Sequence, residues 1–191
     1  MDEFGDRMKA YEAATEMRLN PSLPICARID GRAFSSFTRG CVKPFDHKIS
    51  GAMRETAAYL VDKTHARIGY VQSDEITLIW QNEAGGSVIF DGRILKMASV
   101  IASMAGTKFL SVYGGAKLPA FDCRVWQVPN QDEAANALLW RALDARKNSI
   151  SSACRSFYSP KAMHGKNQSN MIAMLADKGV DFDKHYSAHR S

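Results

Sequence analysis

Apolar residues recur along this chain in two rhythms: a three-to-four-residue spacing that predicts amphipathic helices, and short aliphatic runs that predict strands. Asp6 to Leu19 reads as a helix ended by Asn20-Pro21, and Leu23 to Ile29 as a strand that stops where Asp30-Gly31 begins. Phe34 to Phe45 has no sustained period, whereas Asp46 can cap a helix running to Thr64 with Ile49, Met53, Ala57, Leu60 and Val61 on one side. Ile68 to Val71 and Ile76 to Trp80 predict a hairpin joined through Gln72-Ser-Asp-Glu75, so that Asp74 and Glu75 stand at its tip. After a loop at Gly85-Gly86, Ile94 to Phe109 reads as a helix, Gly114-Gly115 with Pro119 as a connector, and Phe121 to Val128 as a strand. Asn130 to Tyr158 is the longest helical segment, with Pro160 beyond it. On that helix Leu139, Leu143, Ile150, Cys154 and Phe157 fall on one stripe, and Arg141, Asn148, Ser152 and Arg155 lie opposite. This order of elements predicts an α+β fold: an antiparallel sheet with helices packed on it, one domain over residues 1–191, with a long helix at about 131–158.

Composition adds boundaries. A chain of 191 residues with 46% hydrophobic and 24% charged residues suits one well-filled core, and no apolar run reaches the roughly 18 residues of a membrane span. The charged N-terminal stretch MDEFGDRMKA has no apolar centre, which predicts a cytoplasmic protein without membrane partners. Cys26, Cys41, Cys123 and Cys154 are widely spaced and read as reduced thiols. A formal charge of +5 favours a polyanionic partner if it gathers on one face. Neither a P-loop nor a dinucleotide-binding glycine motif is present, so phosphates must be held in another way.

Chemistry concentrates at the acids. Asp30 stands at a strand end before Gly31, where a backbone carbonyl can approach a ligand without interference from a Cβ. Carboxylates brought together at a sheet edge repel one another unless a cation neutralises them, and hard oxygen ligands suit Mg²⁺. Taken by spacing alone, the same acids also suit ordinary turns.

The surrounding words decide more. In order, Arg28-Ile-Asp-Gly-Arg-Ala-Phe34, Lys43-Pro-Phe-Asp46, Gln72-Ser-Asp-Glu75, Phe121-Asp-Cys-Arg-Val125, Trp140-Arg141, Arg146-Lys-Asn-Ser-Ile-Ser151 and Met163-His-Gly-Lys-Asn-Gln-Ser169 resemble the tRNA-His guanylyltransferase family, in its bacterial and phage guanylyltransferase-like branch. The resemblance implies a polymerase- or cyclase-like palm that extends RNA in the 3′-to-5′ direction. It implies two Mg²⁺ ions held by Asp30, the Gly31 carbonyl and Asp74, with Glu75 as a further catalytic acid. Arg32, Ala33, Phe34 and Ser35 would line the nucleotide pocket, with Phe34 either stacking or packing, and Lys43, Ser73, Arg93 and Lys96 would surround the phosphates. On the RNA side it implies Asn148 near the activated 5′ end, joined by Arg141, Arg146, Ser152, Arg155, His164 and Lys166. ATP, GTP and other nucleoside triphosphates are the implied substrates, tRNA or a tRNA-like RNA the partner, and a tetramer the assembly.

The chain departs from the eukaryotic pattern, which places a histidine and two asparagines where Arg146, Asn148 and Ser149 stand. That departure favours templated 5′-end repair over strict guanylate addition to tRNA-His. A nucleotidyl cyclase or signalling-nucleotide synthase on the same palm, and a non-catalytic RNA-binding module, are the competing readings. His185-x-x-x-His189 has helical metal spacing but lies in a polar tail, and is read as incidental.

Overall fold

The computed structural model describes residues 2–42, 46–81 and 87–186. Lys43, the phosphate-binding lysine of the sequence reading, and His189 lie outside these, as does the side chain of His185. The described chain forms two compact units, Met1–Arg39 with His47–Leu138, and Gly40–Asp46 with Leu139–Ser191.

The first unit begins with helix α1 (Glu3–Ala13), no residue of which is buried. The expected continuation of this helix to Leu19 does not form. The Leu19 amide donates to the Gly92 carbonyl (2.9 Å) and the Ile94 amide to the Met17 carbonyl (3.0 Å), so the backbone after Ala13 is taken up by a distant segment. Strand β1 (Ile25–Gly31) leads through a short helix α2 (Phe34–Phe37) to helix α3 (His47–Thr64). Strands β2 (Ile68–Gln72) and β3 (Glu75–Trp80) form the hairpin, followed by helix α4 (Ile94–Tyr113) and strand β4 (Phe121–Gln127). The four strands run antiparallel in the order β2-β3-β1-β4.

Register divides the sheet into two chemically different faces, because directly paired residues project to the same side. Rows such as Val71-Ile76-Ile29-Cys123 and Gly69-Leu78-Ala27-Val125 make one face apolar. Helices α3 and α4 cover it. A Cβ on Gly69 would lie 2.7 Å from the Val61 side chain on α3, and Phe109 on α4 stands 5.7 Å, ring to ring, from Phe121. On α4 the buried residues Met97, Ile101, Ala105 and Phe109 recur every fourth position, as a helix lying flat on a sheet requires. Ile49, Ala52, Met53, Thr56, Ala57, Leu60 and Thr64 do the same on α3. Its two threonines satisfy their hydroxyls on the Ala52 and Leu60 carbonyls, so they can sit in the core.

The opposite face reads Ile68-Ile79-Cys26-Trp126, then Tyr70-Thr77-Arg28-Arg124, then Gln72-Glu75-Asp30-Asp122. It passes from apolar to basic to acidic as it approaches the end of β1. Ala134, Ala137 and Leu138, from the start of helix α5 (Gln131–Arg155), pack on its apolar end.

In the second unit, α5 continues beside α6 (Pro160–Met163), α7 (Gln168–Ala176) and α8 (Phe182–Tyr186). Ile150, Ala153, Cys154, Met163, Leu175 and Phe182 form the core there. The expected single apolar stripe on α5 is corrected. Leu139 and Leu143 are 55% and 60% exposed, whereas Arg141, expected on the polar face, is buried. At 100° per residue, Ile150, Ala153 and Cys154 point about 160° away from the direction shared by Ala134, Ala137, Leu138 and Arg141. The buried side of the helix therefore changes along its length, which a single-period reading averages out. The helix also ends at Arg155 rather than Tyr158, since the amides of Ser156 and Phe157 turn back to the carbonyls of Ala153 and Cys154. No helix among the described residues is long and apolar enough to cross a membrane.

Candidate active site

The end of β1 brings the acids together. Asp30 pairs with Glu75 on β3 and with Asp122 on β4, while the Gly31 amide donates to the Asp74 carbonyl at 3.1 Å. Asp74 and Ser73 form the hairpin turn, where Ser73 adopts a left-handed φ of 51°. Glu75 is not at the tip as the sequence predicts. It is the first residue of β3 and is buried, accepting from Gln72 Nε2 at 3.0 Å, with Arg28 Nε 3.8 Å from its other oxygen. Gln72 and Arg28 are both strand residues, so Glu75 is engaged by the sheet itself. Arg28 was passed over in the sequence; its signal was its place two residues before Asp30, on the same side of one strand.

The Asp74 carboxyl is held above the ordinary aspartate range. Desolvation by burial is the leading cause and the Asp30 charge adds to it, against the Ser73 hydroxyl and the Asp74 amide, which favour the ionised form. Such a group contributes stability below its unfolded pKa and loses it as pH rises through its raised folded pKa. At pH 7 the metal-free protein therefore carries an unfavourable carboxylate. We expect Asp74→Asn to raise the Tm of chelator-treated protein at pH 7 by about 1–3 °C, and to change nothing once the pH is below the ordinary aspartate range. An unchanged Tm at pH 7 would show that burial of this charge costs nothing.

The donor set fits Mg²⁺. Two carboxylates and the Gly31 carbonyl are hard oxygen donors, and Mg²⁺ keeps several waters while using one or two carboxylates plus substrate phosphates. Among the described residues no group of three or more His, Cys, Asp or Glu side chains is gathered as a ready cage. Gly31 is required by space rather than by φ. A Cβ there would lie 2.4 Å from Phe34 Cδ2 and 3.1 Å from Asp74 Cβ.

Phe34 is buried rather than offered to a base: its ring stacks on Phe37 at 5.0 Å and meets Phe109 edge-on at 5.7 Å. Ala33, in the left-handed region with φ 53°, turns the chain out of β1, so that Arg32, Ala33 and Ser35 are exposed beside it. A cleft of about 420 Å³ opens here, between Arg32, Ala33, Phe34, Ser36 and Phe37 on one wall and residues 117–120 on the other.

The other predicted residues are placed separately. Arg93 forms an ion pair with Glu16 through Nε, which holds its guanidinium at the start of α4, and the Lys96 ammonium lies 5.6 Å over the Phe90 ring. In the second unit Arg146 makes a two-pronged pair with Asp183 (2.7 and 3.4 Å). Arg141 donates to Asp144 at 3.0 Å, and Asn148 donates to the same Oδ2 at 3.2 Å. Asp144 thus organises two of the predicted RNA contacts; its three- and four-residue spacing from them was the available signal. Ser152 is half-buried, and Arg155, His164 and Lys166 are exposed.

A four-stranded antiparallel sheet with helices on it and acids at adjoining strand ends gives a palm-like architecture of the α+β class. The profile of the Thg1 family, described as tRNAHis guanylyltransferase, matches residues 5–129, and the chain belongs to that family. A bacterial tRNA(His) guanylyltransferase (Thg1)-like protein in complex with ATP superposes with a TM-score of 0.91 at 37% identity, over 95% of this chain and 83% of that one. A bacterial Thg1-like protein in complex with GTP gives a TM-score of 0.77 at 42% identity, over 81% and 76%. Uncharacterized protein R259 of Acanthamoeba polyphaga mimivirus is 30% identical over 92% of this chain and 70% of its own length.

Proposed function

We propose that this protein adds nucleotides to the 5′ end of tRNA or a tRNA-like RNA, in the 3′-to-5′ direction, with two Mg²⁺ ions. The observation that carries the reading is the meeting of Asp30, the Gly31 backbone and Asp74 at one strand end, beside a cleft lined by the predicted nucleotide loop. The complexes of its relatives with ATP and GTP support nucleoside triphosphates as substrates.

In the proposed reaction the RNA 5′ end either already carries a triphosphate or is activated when its 5′-phosphate oxygen bonds to the α-phosphorus of ATP, transferring AMP and releasing pyrophosphate. The 3′-hydroxyl oxygen of the incoming nucleotide then bonds to the α-phosphorus, its proton passes to solvent, and AMP or pyrophosphate leaves with the broken P–O bond. Mg²⁺ held by Asp30, the Gly31 carbonyl and Asp74 would neutralise charge on the attacking and leaving oxygens. The protein's own part is to hold the triphosphate with Arg32 to Ser35, Ser73 and Lys43. Phosphoryl transfer depends chiefly on such positioning and charge stabilisation. Arg93 and Lys96, at the start of α4, stand roughly 20 Å along that helix from Phe109, whose ring packs on Phe34, and so fall outside this set. Arg146, Asn148, Ser152, Arg155, His164 and Lys166 are assigned to the RNA, with Arg141 acting from its buried pair with Asp144.

Assembly as a homo-oligomer, a tetramer as the family resemblance implies, belongs to the same reading. Exposed Leu139, Trp140 and Leu143 on α5 supply apolar surface for it, and a purely monomeric sedimentation profile would remove it.

The test is incubation of the purified chain with Mg²⁺, labelled nucleotides and tRNAs lacking one 5′ residue, bearing mono- or triphosphate ends. Lengthening at the 5′ end is the expected result, on more than one tRNA species if repair rather than tRNA-His maturation is the role. No addition to any of them would overturn the proposal. A cyclic product from nucleotides alone would instead establish the cyclase reading.

A further inference from the structure

We propose that Lys117 is a triphosphate ligand of the cleft beside β1, a role that rests on the nucleotidyl-transfer reading and adds a residue to it. Lys117 lies between α4 and β4, in a segment that leaves α4 through Gly114 and Gly115, both at positive φ (70° and 93°). The reversal brings residues 117–120 back against the Arg32 to Phe37 turn. Two bonds staple these segments: the Arg32 amide donates to the Ala120 carbonyl at 2.8 Å, and Lys117 Nζ donates to the Phe37 carbonyl at 3.1 Å.

The cleft they enclose, about 420 Å³, is within the range of small-molecule sites. Its walls carry two cations, Arg32 and Lys117, one hydroxyl, Ser36, and apolar surface from Phe34, Leu118 and Pro119. No acidic side chain lines it among the described residues. An ammonium has three donors, and the Phe37 carbonyl takes one. The remaining donors of an exposed lysine, fixed by that bond at the mouth of a cation-lined cleft, suit a multiply charged phosphate chain. The cleft also approaches Asp74, because the position a Cβ would take on Gly31 lies 2.4 Å from Phe34, which lines the cleft, and 3.1 Å from Asp74 Cβ. A nucleotide whose phosphates reached Asp30 and Asp74 with a metal ion would run its outer phosphates past Arg32 towards Lys117.

The test is titration of the full chain with ATP and GTP in Mg²⁺, and with AMP and GMP for comparison. Lys117→Gln should weaken triphosphate binding about tenfold, leave monophosphate binding within about twofold, and be largely restored in Lys117→Arg. Equal triphosphate affinity in Lys117→Gln and wild type would overturn the inference while leaving nucleotide transfer standing. Equal losses for mono- and triphosphates would overturn it too, as the mark of a staple only. Failure of the wild-type chain to bind any triphosphate would remove both readings. A second measurement needs no variant: ATP, and not adenosine, should protect Lys117 of the wild-type protein from an amine-acylating reagent. Unchanged labelling counts against the inference even if Lys117→Gln does not fold.

Discussion

Asp30→Ala is expected to reduce 5′ nucleotide addition by about a thousandfold or more, as loss of a principal charge-stabilising group at a reacting phosphate does. The fold should survive. Asp30 is half-buried at the end of β1, and the Asp30 charge helps to raise the Asp74 carboxyl, so its removal relieves a repulsion. Circular dichroism and Tm measured with chelator should match the wild type or exceed it slightly, while the Mg²⁺-dependent rise in Tm disappears. Residual transfer within tenfold of wild type, in a preparation free of contaminating enzyme, would show that Asp30 is not a principal metal ligand.

Gly31→Ala should damage stability and activity together. The added methyl would stand 2.4 Å from Phe34 Cδ2 and 2.9 Å from Phe34 Cγ, closer than carbon atoms approach without displacement. Phe34 cannot yield easily, because it packs on Phe37, Phe109 and Phe121 with centroids 5.0 to 6.0 Å away. Overpacking of this kind costs roughly 1–3 kcal/mol, and a 1 Å misplacement of reacting groups can cost about a hundredfold in rate. The hairpin turn carrying Asp74 is the other contact, at 3.1 Å, so Asp74 itself would be pushed. Denaturant unfolding and transfer kinetics on one preparation check this. An alanine variant as stable and as active as wild type would mean that the ring and the turn adjust freely.

Much of this arrangement was legible in the chain. The strand leading to Asp30, the hairpin between Ile68 and Trp80 whose turn carries Asp74, and the helix after Asp46 follow from spacing and turn residues, because local period reports local structure. Other features depend on partners that no local pattern names. Glu75 sits next to Asp74 in sequence and reads as its twin, yet the register with Arg28 and Gln72 makes one a turn residue and the other a buried strand residue. The end of helix α1 was read six residues too late because Met17 to Leu19 look helical until Gly92 to Ile94 claim their backbone. Arg141 was assigned to a solvated stripe because periodicity assumes one buried face, and α5 has two. Phe34 could stack or pack as far as sequence went, and the ring cluster decides for packing.

The two unlike faces of the sheet bear on how the acid of β1 is kept in place. Since side chains alternate, a slip of β1 by one residue would drive Asp30 into hydrocarbon and turn Ile29 and Ala27, both wholly buried, outwards. The free-energy gap against that slip is set by aliphatic burial, not by any contact the carboxylate makes. The location of the Asp30 carboxylate is thus inherited from residues buried in the core. Sequence drift that preserves the apolar alternation through Ile25, Ala27, Ile29, Ile76 and Leu78 should leave the chemistry correctly aimed even where surrounding polar residues are replaced.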